Sequence, residues 1–471
     1  MHPQDSLRII PMLVALGLGV ALLYAYTMAA DKGNFALKVC LGCVTFAFFG
    51  YALQYPAGQL VPFPSEHVLL CLALLTGGRI LSGFKGASAS MKIVICLLLI
   101  FAINGVAAQY LTRNILAAPK GWVTEAFRAT VVPLLVAALI NTYVRTKPQI
   151  DRCVLFANIG LAAFFLFHYA SNLLGFSDEV QESPGQLTTV FERDSMNYII
   201  WATWYGALAA VMLPAPLIKI LTGERFSAIY GLTAVVSAIA LKLAATRAGI
   251  LGWSWSIVTA LISSKLLLKG TKAYRVLIPL CVMGAFVAAG SLNISHQAME
   301  KLVSATRDGM GEYGFSYRRS LIADSYRGLR EHFFGIGFST LWHTDQTDEA
   351  NYFVYVANGV GVVGIVSILL VLSYILYRSG RRCLAPGSDY GRRYAVICFI
   401  LVVTVVITAN SSWAIVAESQ TSIPIWSIII CCLKAGESDA EELVRGPASR
   451  NSALARGFAR RVPSGLHAPE A

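Results

Sequence analysis

Charge is what this sequence has least of. Of its 471 residues, 14% are Asp, Glu, Lys or Arg, whereas 56% are hydrophobic and the mean hydropathy is +0.62. A water-facing domain carries about a quarter charged residues, which excludes an ordinary soluble enzyme, a disordered chain and a nucleic-acid-binding domain. Acidic residues are the scarcer sign. The 38 Lys+Arg against 26 Asp+Glu leave a net charge of +12, which suits basic cytoplasmic loops of a membrane protein. The ten cysteines are too dilute for a disulfide scaffold. Most fall inside apolar runs, where a thiol acts as a small hydrophobe. Cys40-Leu41-Gly42-Cys43 has redox-motif spacing but lies in such a run.

Several chemistry-bearing motifs are missing as well. There is no GxxxxGK[ST] loop, so ATP-driven work is not indicated. Neither HExxH nor a paired CxxC occurs, so no metal site is indicated and no cofactor is expected. Asp345-Gln346-Thr347-Asp348 is not the DxD with which metal-dependent sugar transferases hold a nucleotide diphosphate. GxSxG is absent, and no internal repeat is visible.

What is present is a long series of apolar runs. A bilayer core needs about 20 apolar residues per helix. By that measure the sequence predicts spans near Ile9–Ala29, Asn34–Gln54, His67–Gly83, Met91–Leu111, Trp122–Tyr143, Cys153–Phe176, Asn197–Leu221, Phe226–Ala245, Gly249–Leu268, Tyr274–Asn293, Tyr352–Tyr377 and Tyr394–Asn410. Ile423–Leu433 is a shorter apolar stretch, so the expected fold is an all-α polytopic integral membrane protein of about 12–13 transmembrane helices. The first run is too long for a signal-peptide core and reads as a retained anchor.

The chain divides accordingly into N-terminal transmembrane helices (1–293), a large loop (294–351), C-terminal transmembrane helices (352–433) and a tail (434–471) read as disordered and cytoplasmic. Basic residues orient the stack. Arg145, Lys147, Arg152, Lys219, Arg225, Lys265, Lys269, Lys272, Arg275, Arg378, Arg381, Arg382, Arg392 and Arg393 fall in alternate loops, which should be cytoplasmic. Ser177–Met196, with five acidic residues against Arg193, faces outward, and so by alternation does Ile294–Asn351. That 58-residue loop holds six Lys+Arg and eight Asp+Glu. Within it Leu321, Ile322, Ser325, Tyr326, Leu329 and Phe333 share one face at helical spacing, as in a helix lying on a membrane surface.

Ionisable residues inside spans are functional candidates. Arg79, Glu125, Arg128, His168, Lys242 and Arg247 qualify. Most sit near a predicted end, where snorkelling accounts for them, and Glu125 and Arg128 can neutralise each other at i,i+3. Arg247 is held in the short turn Ala245-Thr246-Arg247-Ala248-Gly249 on the outward side, from which its planar fork can reach phosphate oxygens. The loop adds Arg318, Arg319 and Gly335-Ile336-Gly337, whose glycines permit close backbone approach. Gly359, Gly361 and Gly364 read as helix-packing glycines. His343, beside Asp345, Asp348 and Glu349, has the surroundings of a general base.

Thr246-Arg247-Ala248-Gly249, then Arg318 or Arg319, then Gly335-Ile336-Gly337 and Asn351-Tyr352-Phe353, in this order, resemble the pattern of the bacterial O-antigen ligase and O-antigen or exopolysaccharide polymerase superfamily. The resemblance covers about Leu241–Tyr377, and it departs from the pattern at Ala350, where the family often has His. It implies a GT-C-like fold in the bacterial inner membrane, with a periplasmic active site and the large loop periplasmic. The implied reaction is metal-independent and inverting. An acceptor hydroxyl, of a saccharide or lipid, attacks the anomeric carbon of an undecaprenyl-diphosphate-linked glycan donor, either to polymerise repeat units or to ligate the glycan. Arg247 and Arg318 would stabilise the leaving diphosphate and His343 would act as base, with Arg319, Gly335, Gly337 and Asn351 in substrate binding. Membrane lipids and other polysaccharide-assembly proteins are the further expected partners, and nucleic acid is not one. The competing class is a transporter or flippase of lipid-linked saccharide, which more often shows two similar halves with broken helices. A sensory protein is the third class, without a recognisable signalling domain.

Overall fold

The computed structural model describes residues 34–54, 65–111, 126–173, 196–223, 227–244, 246–266, 323, 326–327, 329–338, 351–385, 388–410, 412 and 414–444. Among them there is no β-strand. The helices are α1 (Phe35–Gln54), α2 (Ser65–Leu75), α3 (Gly77–Lys85), α4 (Ala89–Leu111), α5 (Val132–Tyr143, entered through a π-helical turn at Phe127–Val131) and α6 (Lys147–Leu173). They continue with α7 (Met196–Met212), α8 (Pro214–Leu221), α9 (Ser227–Ala244), α10 (Arg247–Leu266), α11 (Tyr352–Leu384), α12 (Asp389–Ala409), the single turn α13 (Ala414–Ala417) and α14 (Ser419–Val444). Five stretches among the described residues are long and apolar enough to cross a membrane, or six if bent pairs count as one. The expected spans Ile9–Ala29 and Tyr274–Asn293 lie outside the described residues, as does the chain beyond Val444.

Lipid explains the surface. Large apolar side chains stand exposed along α4 (Ile93, Leu99, Ile100, Ile103) and α11 (Val366, Leu369, Leu370). In water such bands would be association patches, whereas a bilayer leaves them as they are. The helix at the centre is one the sequence marks only by a short apolar stretch. α14 packs against α1, α5, α6 and α12, and Ile423, Ile425, Trp426 and every residue from Ile428 to Cys432 are buried. A helix apolar on all sides belongs inside a bundle. α14 also runs past Leu433, for Lys434 Nζ donates to Asn141 O at 2.6 Å and to Ile140 O at 3.4 Å, closing the last turn of α5. At its other end Glu418 meets Arg128 before α5 begins, so α14 spans the full height of α5.

Other helices depart from simple crossings. The expected span His67–Gly83 is two helices bent by 76°, where Thr76 Oγ1 bonds back to Leu72 O and Gly77-Gly78 follow. The π-helical turn carries Arg128 and sits where Gly105 of α4 meets Thr130. Shared polar contacts pin the second half of the bundle. Ser256 and Thr404 hydroxyls are 3.0 Å apart between α10 and α12, and Trp253 Nε1 donates to Ser237 Oγ between α10 and α9.

Of the described cysteines, Cys40, Cys43, Cys153, Cys383, Cys398, Cys431 and Cys432 are buried, as small hydrophobes would be, and Cys71 and Cys96 are exposed.

Candidate functional site

α7, α10 and α11 begin, and α4 and α12 finish, at one end of the bundle. Asn351 and Asn410 meet there, Nδ2 to Oδ1 at 3.4 Å. Asn351 is the N-cap of α11, its Oδ1 accepting from Phe353 N at 2.9 Å and Val354 N at 3.3 Å. That is the local reason for an asparagine here: it satisfies amides that have no partner within the helix.

The glycine motif lies at the same end and is joined to α11 backbone to backbone. Gly361 has φ +66° and interrupts the helix, so it is not a packing glycine in a continuous span. The freed groups are met by the segment Phe333–Phe338. Ile336 N donates to Asn358 O at 2.8 Å, Gly337 N to Gly359 O at 3.0 Å, and Val362 N donates to Phe333 O at 2.9 Å. α4 completes the set. Asn104 Nδ2 donates to Val360 O, and Phe338 N donates to Gln109 Oε1 at 3.1 Å. Irregular backbone at membrane depth survives only when its polar groups are satisfied within protein, and here Asn358 O, Gly359 O, Val360 O and Val362 N each have such a partner. Gly335 and Gly337 have φ +86° and +77°, and a Cβ on Gly335 would stand 2.5 Å from Gly359 O. The close approach expected of these glycines is therefore to this chain's own helix. Just before them Tyr326, Phe333 and Phe334 are exposed, with Arg330 over the Tyr326 ring at 4.9 Å.

Arg247 opens α10 at this end. The turn before it reads clearly. Thr246 Oγ1 accepts from Gly249 N at 3.3 Å, and Gly249 presses on Gly206 of α7 so closely that a Cβ would fall 2.7 Å from its Cα. The Thr and Gly of the motif thus fix where Arg247 stands. Between α10 and α11 runs α12, packed on both. Arg318, Arg319 and His343 lie outside the described residues, as does Glu125.

Arg128, expected from the sequence to neutralise Glu125, has Glu66 and Glu418 as its partners among the described residues at this end. Arg128 Nε is 2.8 Å from Glu66 Oε1, and its Nη1 is 3.6 Å from Glu418 Oε2. Glu66 is 1% exposed. Burial raises the Glu418 carboxyl above the ordinary carboxylate range, against the lowering effect of Arg128 and with a further rise from Glu66. Near the starts of α2, α11 and α14, His67 Nδ1, Tyr352 Oη, Ser419 Oγ, Gln420 Oε1, Ser422 Oγ and Trp426 Nε1 are buried without a hydrogen-bond partner. Buried polar atoms ordinarily have one, from protein or from ordered water. The sequence signal was there: Glu418-Ser419-Gln420-Thr421-Ser422 directly precedes an apolar run. Asn104 and Gln109, lone amides in an apolar span, were equally legible.

At the opposite end a second cluster holds helices together. Lys219, 1% exposed, reaches Asp151 Oδ1 at 3.0 Å and Tyr394 Oη at 2.9 Å, joining α8, α6 and α12. Tyr394 Oη also donates to Asp151. Among the described residues no group of three His, Cys, Asp or Glu is placed to hold a metal ion. No family model matches the chain, and no curated protein matches it significantly.

Proposed function

We propose that the chain is a membrane glycosyltransferase of bacterial surface-polysaccharide assembly, of the O-antigen ligase or polymerase kind, working at the Asn351 end. The observation that carries the reading is convergence. The Thr246–Gly249 turn, the Gly335–Gly337 segment and Asn351 come from three distant stretches of chain and meet one end of the bundle, which also holds Arg128 with its two carboxylates and unpartnered polar atoms at the starts of α2, α11 and α14. A hydroxyl-rich substrate suits such a lining, since hydroxyls both donate and accept.

In this reading the acceptor hydroxyl attacks the anomeric carbon of the lipid-linked donor, and the bond to the diphosphate breaks. Arg247 and Arg318, with Arg319 beside the latter, take up the charge developing on the leaving diphosphate. His343 receives the hydroxyl proton. Gly335, Gly337 and Asn351 act by position, since they fix the loop and the start of α11. The basic ends of α11 and α12 would face the cytoplasm of the inner membrane and the Asn351 end the periplasm.

A transporter of lipid-linked saccharide is the second reading, favoured by the interruption of α11 at Gly361 and the 76° bend between α2 and α3, because discontinuous helices are common in transporters. One assay separates them. Purified protein in detergent is given a lipid-linked repeat unit with EDTA and without ATP. Longer lipid-linked glycans establish a polymerase, and transfer to an added lipid acceptor a ligase. If neither forms and proteoliposomes move the unit across the bilayer, the transferase reading falls.

A further inference from the structure

The basic end contains a cavity of about 410 Å³ between α4, α11, α12 and α14. Among the described residues its polar lining is Ser88, Ser90, Arg378, Ser379, Arg381 and Arg382, with no carboxylate among them. Arg381 is exposed and contacts the Tyr377 hydroxyl at 3.4 Å. Arg382 is half-buried, its stem against Gly436 of α14, and its Nη2 is buried without a hydrogen-bond partner. A guanidinium donor enclosed in this way costs free energy until an acceptor meets it, and the three arginines that converge on the cavity favour an anionic one.

We propose that this cavity binds a phosphate anion, carried by a lipid headgroup or free in solution. Guanidinium forks match phosphate oxygens in pairs, and the Ser88 and Ser90 side chains stand in the same lining, whereas the Ser379 hydroxyl donates to Ile375 O within its own helix. The volume holds a headgroup-sized molecule. Basic pockets between membrane helices recognise lipid headgroups by the same electrostatics. The site lies at the opposite end from Asn351, so its test is independent of the transferase reading.

The test uses the full chain, delipidated in detergent, with binding followed by native mass spectrometry. Phosphatidylglycerol, phosphatidylcholine and inorganic phosphate are added separately. Retention of phosphatidylglycerol that excess inorganic phosphate does not displace identifies a lipid headgroup site. Retention of inorganic phosphate, or its displacement of the lipid, identifies a free-phosphate site. Arg382→Gln should weaken the bound species roughly tenfold or more, and Arg382→Lys should restore part of it. Arg381→Gln, at an exposed position that folding does not need, should also weaken it, whereas Lys85→Gln, exposed at the same end outside the cavity, should not. Binding of neither phospholipid nor phosphate would overturn the proposal. So would equal loss in Arg381→Gln and Lys85→Gln.

Discussion

Gly335 and Gly361 touch backbone to backbone: a Cβ on Gly361 would lie 2.4 Å from Gly335 N, and one on Gly335 would lie 2.6 Å from Gly361 N. Both have positive φ. Alanine at either position should therefore destabilise the protein by more than the roughly 1–2 kcal/mol of a left-handed L-residue, because the chains must also separate. Gly231→Ala, with open space around it, should be silent. Thermal unfolding in detergent compares them, and equal melting temperatures would contradict the joint between loop and helix.

Asn104 tests the same joint from α4. Asn104→Leu fills the space but leaves Val360 O without its donor, at a cost of about 1–3 kcal/mol. Hydrogen exchange on α11 should rise near the interruption, and unchanged exchange there would remove Asn104 from the account.

Arg128→Ala strands Glu66 and Glu418. Losing one partner of a buried ion pair costs roughly 3–5 kcal/mol, so yield and melting temperature should fall sharply. Glu66→Gln in the Arg128→Ala background should recover part of the loss. An additive double mutant would show that the two do not interact.

The proposed leaving-group arginines make a catalytic prediction. Arg247→Ala or Arg318→Ala should lower the transfer rate by about 10²–10³, the effect of removing one donor from a developing oxyanion, at near-normal protein levels. Arg→Lys should recover it partly, since a point charge replaces a fork. Full activity in both alanine variants would take these residues out of the mechanism.

Orientation follows from the basic end. A phosphatase fused after Pro386, between α11 and α12, should be inactive, and one fused after Gly311 active. The opposite pattern would put Asn351 in the cytoplasm.

Local signals in the sequence determined much of the architecture. Apolar runs of bilayer length marked α4, α6, α7, α11 and α12 because a helix that crosses a bilayer is apolar along its length whether it faces lipid or its neighbours. Asn351 and Thr246 were readable at helix starts, since a cap acts within three residues. The tertiary structure decided what depends on distant partners. Nothing near Arg128 in the chain reveals Glu66 or Glu418 as its counter-charges. A glycine in an apolar run reads as a packing residue until a second backbone, here Phe333–Phe338, enters the helix beside it. The stretch Ile423–Leu433 looked too short to place, and only its burial among α1, α5, α6 and α12 shows a full-height central helix. Hydrophobic periodicity reports how a segment meets its solvent, whereas pairing and helix interruption are set by which segments meet each other.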